Sequence, residues 1–205
     1  MKIEFYIFRH GQTDWNKLRK VQGKMDIPLN DFGREEALKL KSFFKDIDIE
    51  KVYTSDLKRA FETAEITFSD KDLTLETSER LREANFGEVE GMNVEDLLNQ
   101  YSTKFWDIHI GGEEADDFSY PGGETRREVR ERVVSQILDI KREGKYSKVA
   151  ISTHGGSLRS LIHHFLPPQN ELIKIPNCVV YKLTFNGDEH FVEGPFNNEE
   201  DLCYR

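Results

Sequence analysis

The sequence predicts an α/β fold built in layers on a largely parallel sheet. Three observations carry that expectation. Short runs of β-forming residues alternate with stretches of helical periodicity through most of the chain. Two of those runs end directly in a His-Gly pair, at Phe8-Arg9-His10-Gly11 and at Thr153-His154-Gly155-Gly156. Near the C-terminus the alternation stops, and two strand-like runs flank Asn186-Gly187-Asp188-Glu189. That is a hairpin pattern, and it implies an antiparallel edge.

Residues 3–8 are rich in β-formers and predict the first strand. Residues 31–46 predict a helix: Ala37, Leu40, Phe44 and Ile47 recur at three- and four-residue steps, with Asn30 or Asp31 as N-cap. Lys51 to Ser55 predicts a short strand, followed by a helix over 57–68 capped by Ser55 or Asp56. Residues 73–77 alternate weakly and predict a further strand. The stretch 93–110 is amphipathic and helical in pattern, and 111–123 is an acidic, Gly-rich loop. A long helix over 124–143 carries Val129, Val133, Ile137 and Ile140 on one stripe. Residues 148–153 predict a strand, and a helix over 157–166 stops before Pro167-Pro168. Residues 178–185 and 190–194 complete the hairpin.

There is no internal repeat and no low-complexity linker, so residues 1–205 read as one domain with a lid-like insertion at about 93–123. A chain of this length buries about 70% of its unfolded surface and needs no disulfide or metal staple. The net charge of −9 argues against nucleic-acid binding by bulk charge. An anionic ligand would need a local basic pocket working against that field. No apolar run approaches the roughly 20 residues of a membrane span, and the N-terminus lacks the pattern of a signal peptide. Cys178 and Cys203 form no CxxC and no zinc spacing; Cys178 reads as a buried strand residue. The expected setting is cytoplasmic.

The chemistry-bearing residues cluster at strand ends, where open α/β sheets bind ligands. Arg-His-Gly is expected by chance only about 0.03 times in a chain of this composition. His154 draws its weight from lying between a strand and a helix. Arg59, in the first turn of a helix, offers a bidentate fork for a phosphate, or else pairs on the surface with Glu62. Glu83 is one of 38 acids, but beside a phosphate it can protonate a leaving alkoxide. Together these residues suit metal-free phosphoryl transfer: an imidazole attacks in line, cations neutralise the phosphoryl oxygens, and an acid serves the leaving group.

The chain resembles the histidine phosphatase superfamily, the group of the phosphoglycerate mutases and related phosphatases. The resemblance runs through Phe8-Arg9-His10-Gly11-Gln12-Thr13, Tyr53-Thr54-Ser55-Asp56-Leu57-Lys58-Arg59, Leu81-Arg82-Glu83, Pro121-Gly122-Gly123-Glu124 and Ser152-Thr153-His154-Gly155-Gly156. It implies a three-layer α/β/α sandwich around a mostly parallel mixed sheet. It implies His10 as the residue that becomes phosphohistidine and Glu83 as proton donor and later base. It also implies Arg9, Arg59 and His154 as phosphoryl ligands, Asn16 as a further one, and Gln22 and Gly23 as a substrate-side segment. No metal or organic cofactor is implied.

Mutases of the group carry Glu-Arg-His-Tyr-Gly where this chain has Glu83-Ala84-Asn85-Phe86-Gly87, and residues 84–101 hold acids rather than a basic grip for a substrate carboxylate. The expected reaction is therefore hydrolysis of a small-molecule phosphomonoester by a monomer or homodimer, with no nucleic-acid or membrane partner. Mutase-type transfer and a non-catalytic phosphate-binding module are the alternatives. Tyr101, Phe105, Trp106, His109 and Tyr120 either stack on a substrate ring or pack the lid onto the domain. His163-His164 point about 100° apart on a helix and read as packing and capping residues, not metal ligands.

Overall fold

A computed structural model describes residues 2–101, 116–166 and 173–196. The strands are β1 (Lys2–Arg9), β2 (Lys51–Thr54), β3 (Leu75–Thr77), β4 (Lys148–Thr153), β5 (Val180–Asn186) and β6 (Glu189–Phe196). They form one sheet in the order β3-β2-β4-β1-β5-β6. The pairs β3–β2, β2–β4 and β4–β1 are parallel; β5 runs antiparallel to β1, and β6 antiparallel to β5. The helices are α1 (Asp14–Lys17), α2 (Asp31–Phe43), α3 (Lys58–Thr67), α4 (residues 94–101), α5 (Arg126–Glu143) and α6 (Gly155–Phe165).

Strand alternation divides the apolar residues between two faces. Ile3, Phe5 and Ile7 of β1, with Val149 and Ile151 of β4, join the core under α5 and α6. Phe8 of β1 and Ala150 of β4 join Leu40, Phe44, Ala64 and Phe68 in the core under α2 and α3. The predicted stripe of α5 is buried throughout, from Val129 to Ile140. The result is the expected mixed α/β architecture, a six-stranded sheet flanked by helices.

Several boundaries differ from the expectation. α2 ends at Phe43, with Asn30 as its N-cap accepting from Gly33 N at 2.8 Å. α3 starts after Leu57 with no side-chain cap: neither Ser55 nor Asp56 fills that role. Ser55 faces His154 instead, and Asp56 pairs with Arg82. α5 begins one residue after Thr125, which forms a capping box with Glu128. α6 begins at Gly155 rather than 157, with His154 as N-cap. Cys178 is buried, yet it sits in a turn at φ 56° before β5 begins at Val180, so it is not a strand residue. The hairpin closes on two residues, Gly187 and Asp188. Phe105, Trp106, His109, Cys203 and the acidic residues Glu113 and Glu114 lie outside the described residues. Among the described residues, no helix is long and apolar enough to cross a membrane.

Candidate active site

The sheet register brings the two histidines together. β1 and β4 pair in parallel with Arg9 opposite Thr153, so the next residue of each strand leaves the sheet beside the other. His10 N donates to Thr153 O at 3.0 Å, and the two imidazole centroids lie 5.1 Å apart. Both rings are at most 2% exposed.

Their partners assign different tautomers. His10 Nδ1 lies 2.7 Å from Gly11 O, a pure acceptor, so Nδ1 carries the proton. His10 Nε2 then holds a lone pair, which accepts from Arg59 Nε at 3.3 Å. His154 Nδ1 accepts from the same Arg59 N–H at 3.2 Å, so its proton sits on Nε2 and is donated to Ser55 Oγ at 2.8 Å. Burial, followed by the charge of Arg59, holds both imidazoles well below the usual histidine range. Both are neutral at pH 7.

Arg59 is fully buried and turned inward. Its surface alternative does not occur, because Glu62 pairs with Arg34 at 2.6 Å. Its terminal nitrogens donate to Gly23 O and Met25 O, each at 2.7 Å, which ties the 23–25 loop to the site. Burial brings Arg59 down to about 10, which still leaves it charged at neutral pH. Arg9 donates through Nη1 to Ile175 O at 2.6 Å, while its Nε is buried with no partner. A buried donor without a partner is a condition that a bound anion relieves.

Glu83 faces the first turn of α6. Gly156 N donates to Oε2 at 2.9 Å, and Ser157 N and Ala84 N donate to Oε1 at 3.0 Å. An acid suits the positive end of a helix. A Cβ on Gly156 would stand 2.6 Å from Glu83 Oε1, so glycine is what lets the helix start this close. Arg132 of α5 holds the backbone behind Glu83, donating to the carbonyls of Arg80, Arg82 and Glu83 at 2.7–2.9 Å.

These groups open on a cleft of about 410 Å³, within the usual range for a small-molecule site. Arg9, His10, Arg59 and Glu83 line it, with Asn16, Gln22 and Gly23, so the sequence-predicted residues converge. His154 is fully buried beside these groups and accepts from Arg59 Nε. Gln22 is held by Thr13 Oγ1 at 3.0 Å, and Asn16 caps α1 together with Thr13. Residues 84–101 contribute the apolar wall of Phe86, Val94, Leu97 and Leu98. Tyr101 packs on Tyr120 with ring centroids 4.9 Å apart, while Tyr120 also borders the cleft.

Sequence reasoning missed four cations at the cleft: Arg19, Lys20, Arg159 and Lys174. Among the described residues, they make with Arg9 and Arg59 six positive groups at the cleft against the one carboxylate of Glu83. This is the local basic pocket that a chain of charge −9 requires. It also missed Asn177, whose Nδ2 donates to His10 O at 2.9 Å, and Arg132. No local pattern marks either one. Among the described residues, no three His, Cys, Asp or Glu side chains converge as metal ligands, His163 and His164 included.

A family model, the histidine phosphatase superfamily (branch 1), matches residues 5–198. Phosphoglycerate mutase-like protein 4 of Arabidopsis thaliana is 33% identical over 201 residues, covering 93% of this chain and 83% of that protein. The uncharacterized phosphatase PhoE of Bacillus subtilis is 33% identical over 181 residues, covering 87% of this chain and 86% of that protein. A crystal structure of phosphoglycerate mutase from Bacillus anthracis superposes with a TM-score of 0.85 at 27% identity, covering 94% and 92% of the two chains.

Proposed function

Because the chain belongs to the histidine phosphatase superfamily, we propose that it hydrolyses a small-molecule phosphomonoester through a phosphohistidine on His10. The observation that carries this reading is the unprotonated Nε2 of His10, bordering a cleft with six cationic side chains. Arg9 and Arg59 bind the phosphoryl oxygens, supported by His154 and Asn16. Nε2 attacks phosphorus in line, the P–O ester bond breaks, and Glu83 gives its proton to the leaving alkoxide. The Nδ1–H bond to Gly11 O steadies the positive charge the ring gains. Water then attacks the phosphohistidine, Glu83 takes a proton from it, and phosphate and neutral His10 are released.

The mutase alternative draws on the mutase relatives. Hydrolysis is favoured because residues 84–101 give the cleft an apolar wall rather than basic side chains. In this reading Gln22 and Gly23 border the leaving group, and the whole of 1–205 acts as one domain. The protein works in the cytoplasm without cofactor, as monomer or homodimer.

The test is phosphate release from a panel of phosphomonoesters with EDTA present, for the wild type and His10→Ala. Release by the wild type alone is expected. Equal release by the variant overturns the mechanism, and transfer to a second carbon skeleton without free phosphate establishes the mutase reading.

A further inference from the structure

Glu83 sits in a stretch, residues 82–86, that is neither helix nor strand. Backbone without a ladder must find other partners. Here the carbonyls of four consecutive residues accept from side chains of other elements. Arg132 of α5 donates to Arg80 O and Glu83 O at 2.9 Å and to Arg82 O at 2.7 Å. Thr153 Oγ1, at the end of β4, donates to Leu81 O at 2.8 Å, and Ser157 Oγ of α6 donates to Arg82 O at 2.6 Å. The position of this stretch is therefore set by the tertiary fold.

The far side of Glu83 is held by the motif Pro121-Gly122-Gly123-Glu124. Glu88 N donates to Pro121 O at 3.0 Å, and Asn85 Nδ2 donates to Gly122 O at 3.1 Å. A Cβ on Gly123 would stand 2.7 Å from Asn85 O, so glycine lets the two segments lie this close. Asn85 N donates to Glu124 Oε2 at 2.8 Å, and Glu124 N donates back to Asn85 O at 2.8 Å. Arg132 then closes the circle. Its Nε donates to Glu124 Oε1 at 2.8 Å and its Nη2 to Oε2 at 3.0 Å. With the three carbonyls, these bonds use all five N–H groups of the guanidinium. The Arg132 and Glu124 side chains are 18% and 26% exposed. An ion pair drawn this far out of water gains little net stability against its desolvation, so its larger effect falls on geometry.

We propose that Arg132 and Glu124 are positioning residues for the proton step, a clamp that fixes the backbone on both sides of Glu83 and so keeps its carboxyl within reach of the leaving oxygen. In that step the Nε2–P bond forms, the P–O ester bond breaks, and the Glu83 proton passes to the departing oxygen. Such a transfer works only at hydrogen-bond distance, and a misplacement of about 1 Å can cost about 10²-fold. The inference rests on the hydrolase reading and deepens it: the clamp decides how well the enzyme cleaves esters whose leaving group must take a proton. A p-nitrophenolate leaves as a stable anion, whereas an alkoxide does not.

The experiment measures kcat/KM on p-nitrophenyl, phenyl and benzyl phosphate, three esters of similar bulk and rising demand for a proton. This parameter reports the steps up to cleavage of the ester, before water attacks. Arg132→Met is expected to lower it by about 10²-fold on benzyl phosphate but by about threefold or less on p-nitrophenyl phosphate. Arg132→Lys should restore part of the benzyl activity, and Glu83→Gln, with the donor gone, sets the limit of the tilt. Glu124→Gln keeps an acceptor for Asn85 N and loses the charge facing Arg132. It should tilt the series the same way by severalfold, and it carries the test where the Arg132 variants fail to fold. An equal loss on all three esters in a folded Arg132→Met means a structural role alone and overturns the clamp. So does a wild-type ratio in Glu124→Gln. No phosphate release by the wild type from any of the three overturns the hydrolase reading itself.

Discussion

The ends of β1 and β4 carry the same His-Gly pair, leave the sheet side by side, and bury their rings equally, yet they present opposite nitrogens to one arginine. At β1, the Gly11 carbonyl takes the Nδ1 proton and leaves Nε2 of His10 bordering the cleft. At β4, Ser55 accepts from Nε2 and leaves Nδ1 of His154 bonded to Arg59. A backbone carbonyl at one ring and the Ser55 hydroxyl at the other thus decide which proton each of two identical side chains keeps, and so suit them to the proposed tasks of nucleophile and support. An imidazole's role is decided by the acceptor next to it.

The largest expected effect would break this comparison outright. His10→Ala should lower turnover by about 10⁴-fold or more and abolish an acid-labile phosphoenzyme. His154→Ala should cost about 10²–10³-fold and still allow the label to form slowly. Rapid-quench labelling of both variants checks this, and a label retained in His10→Ala but lost in His154→Ala would reverse the two assignments.

A smaller effect tests what the two rings share. Both are held neutral in the fold, whereas an unfolded chain protonates its histidines near pH 6.5. Stability is therefore complete above that value and falls as the pH drops below it, by up to about 1.4 kcal/mol per pH unit for each ring. Urea midpoints at pH 7.5 and pH 5.0 should separate in the wild type and lie closer together in His10→Ala. An unchanged separation would mean the ring is not neutral. For catalysis, the acid limb set by His10 should lie well below pH 6.5 for the same reason.

The smallest effect sharpens the difference. Ser55→Ala strands the His154 Nε2 proton, at a cost of about 1–3 kcal/mol in stability, and should lower kcat more than it raises KM. A variant with wild-type stability and kcat would remove Ser55 from the support.

Much of this was readable from residue order. β1, α2, β4 and the hairpin follow from periodicity and turn chemistry, and the His-Gly pairs locate the strand ends. The family motifs point to Arg9, His10, Arg59, Glu83 and His154, and four of these line the cleft. What escaped is what depends on three-dimensional pairing. Arg132 is one more cation on a charged helix until it is seen holding three carbonyls behind Glu83. Ser55 looks like a helix cap until the β4 histidine is placed opposite. Helix α6 starts two residues early because a carboxylate from a distant segment takes its amide protons. Sequence periodicity has no access to a partner that far away.

The hydrogen bonds of Arg59 have one last consequence, for the order in which the molecule is made. The two imidazoles it joins lie 49 and 95 residues away from it along the chain, and Asn177, which fixes the His10 carbonyl, lies 167 residues from His10. No short fragment of consecutive residues contains this centre. Closing such long loops is the slow, entropically costly part of assembling a sheet. Activity should therefore be the last property to return on refolding, after compaction and helix content, and its recovery would time the moment when β4 enters between β1 and β2.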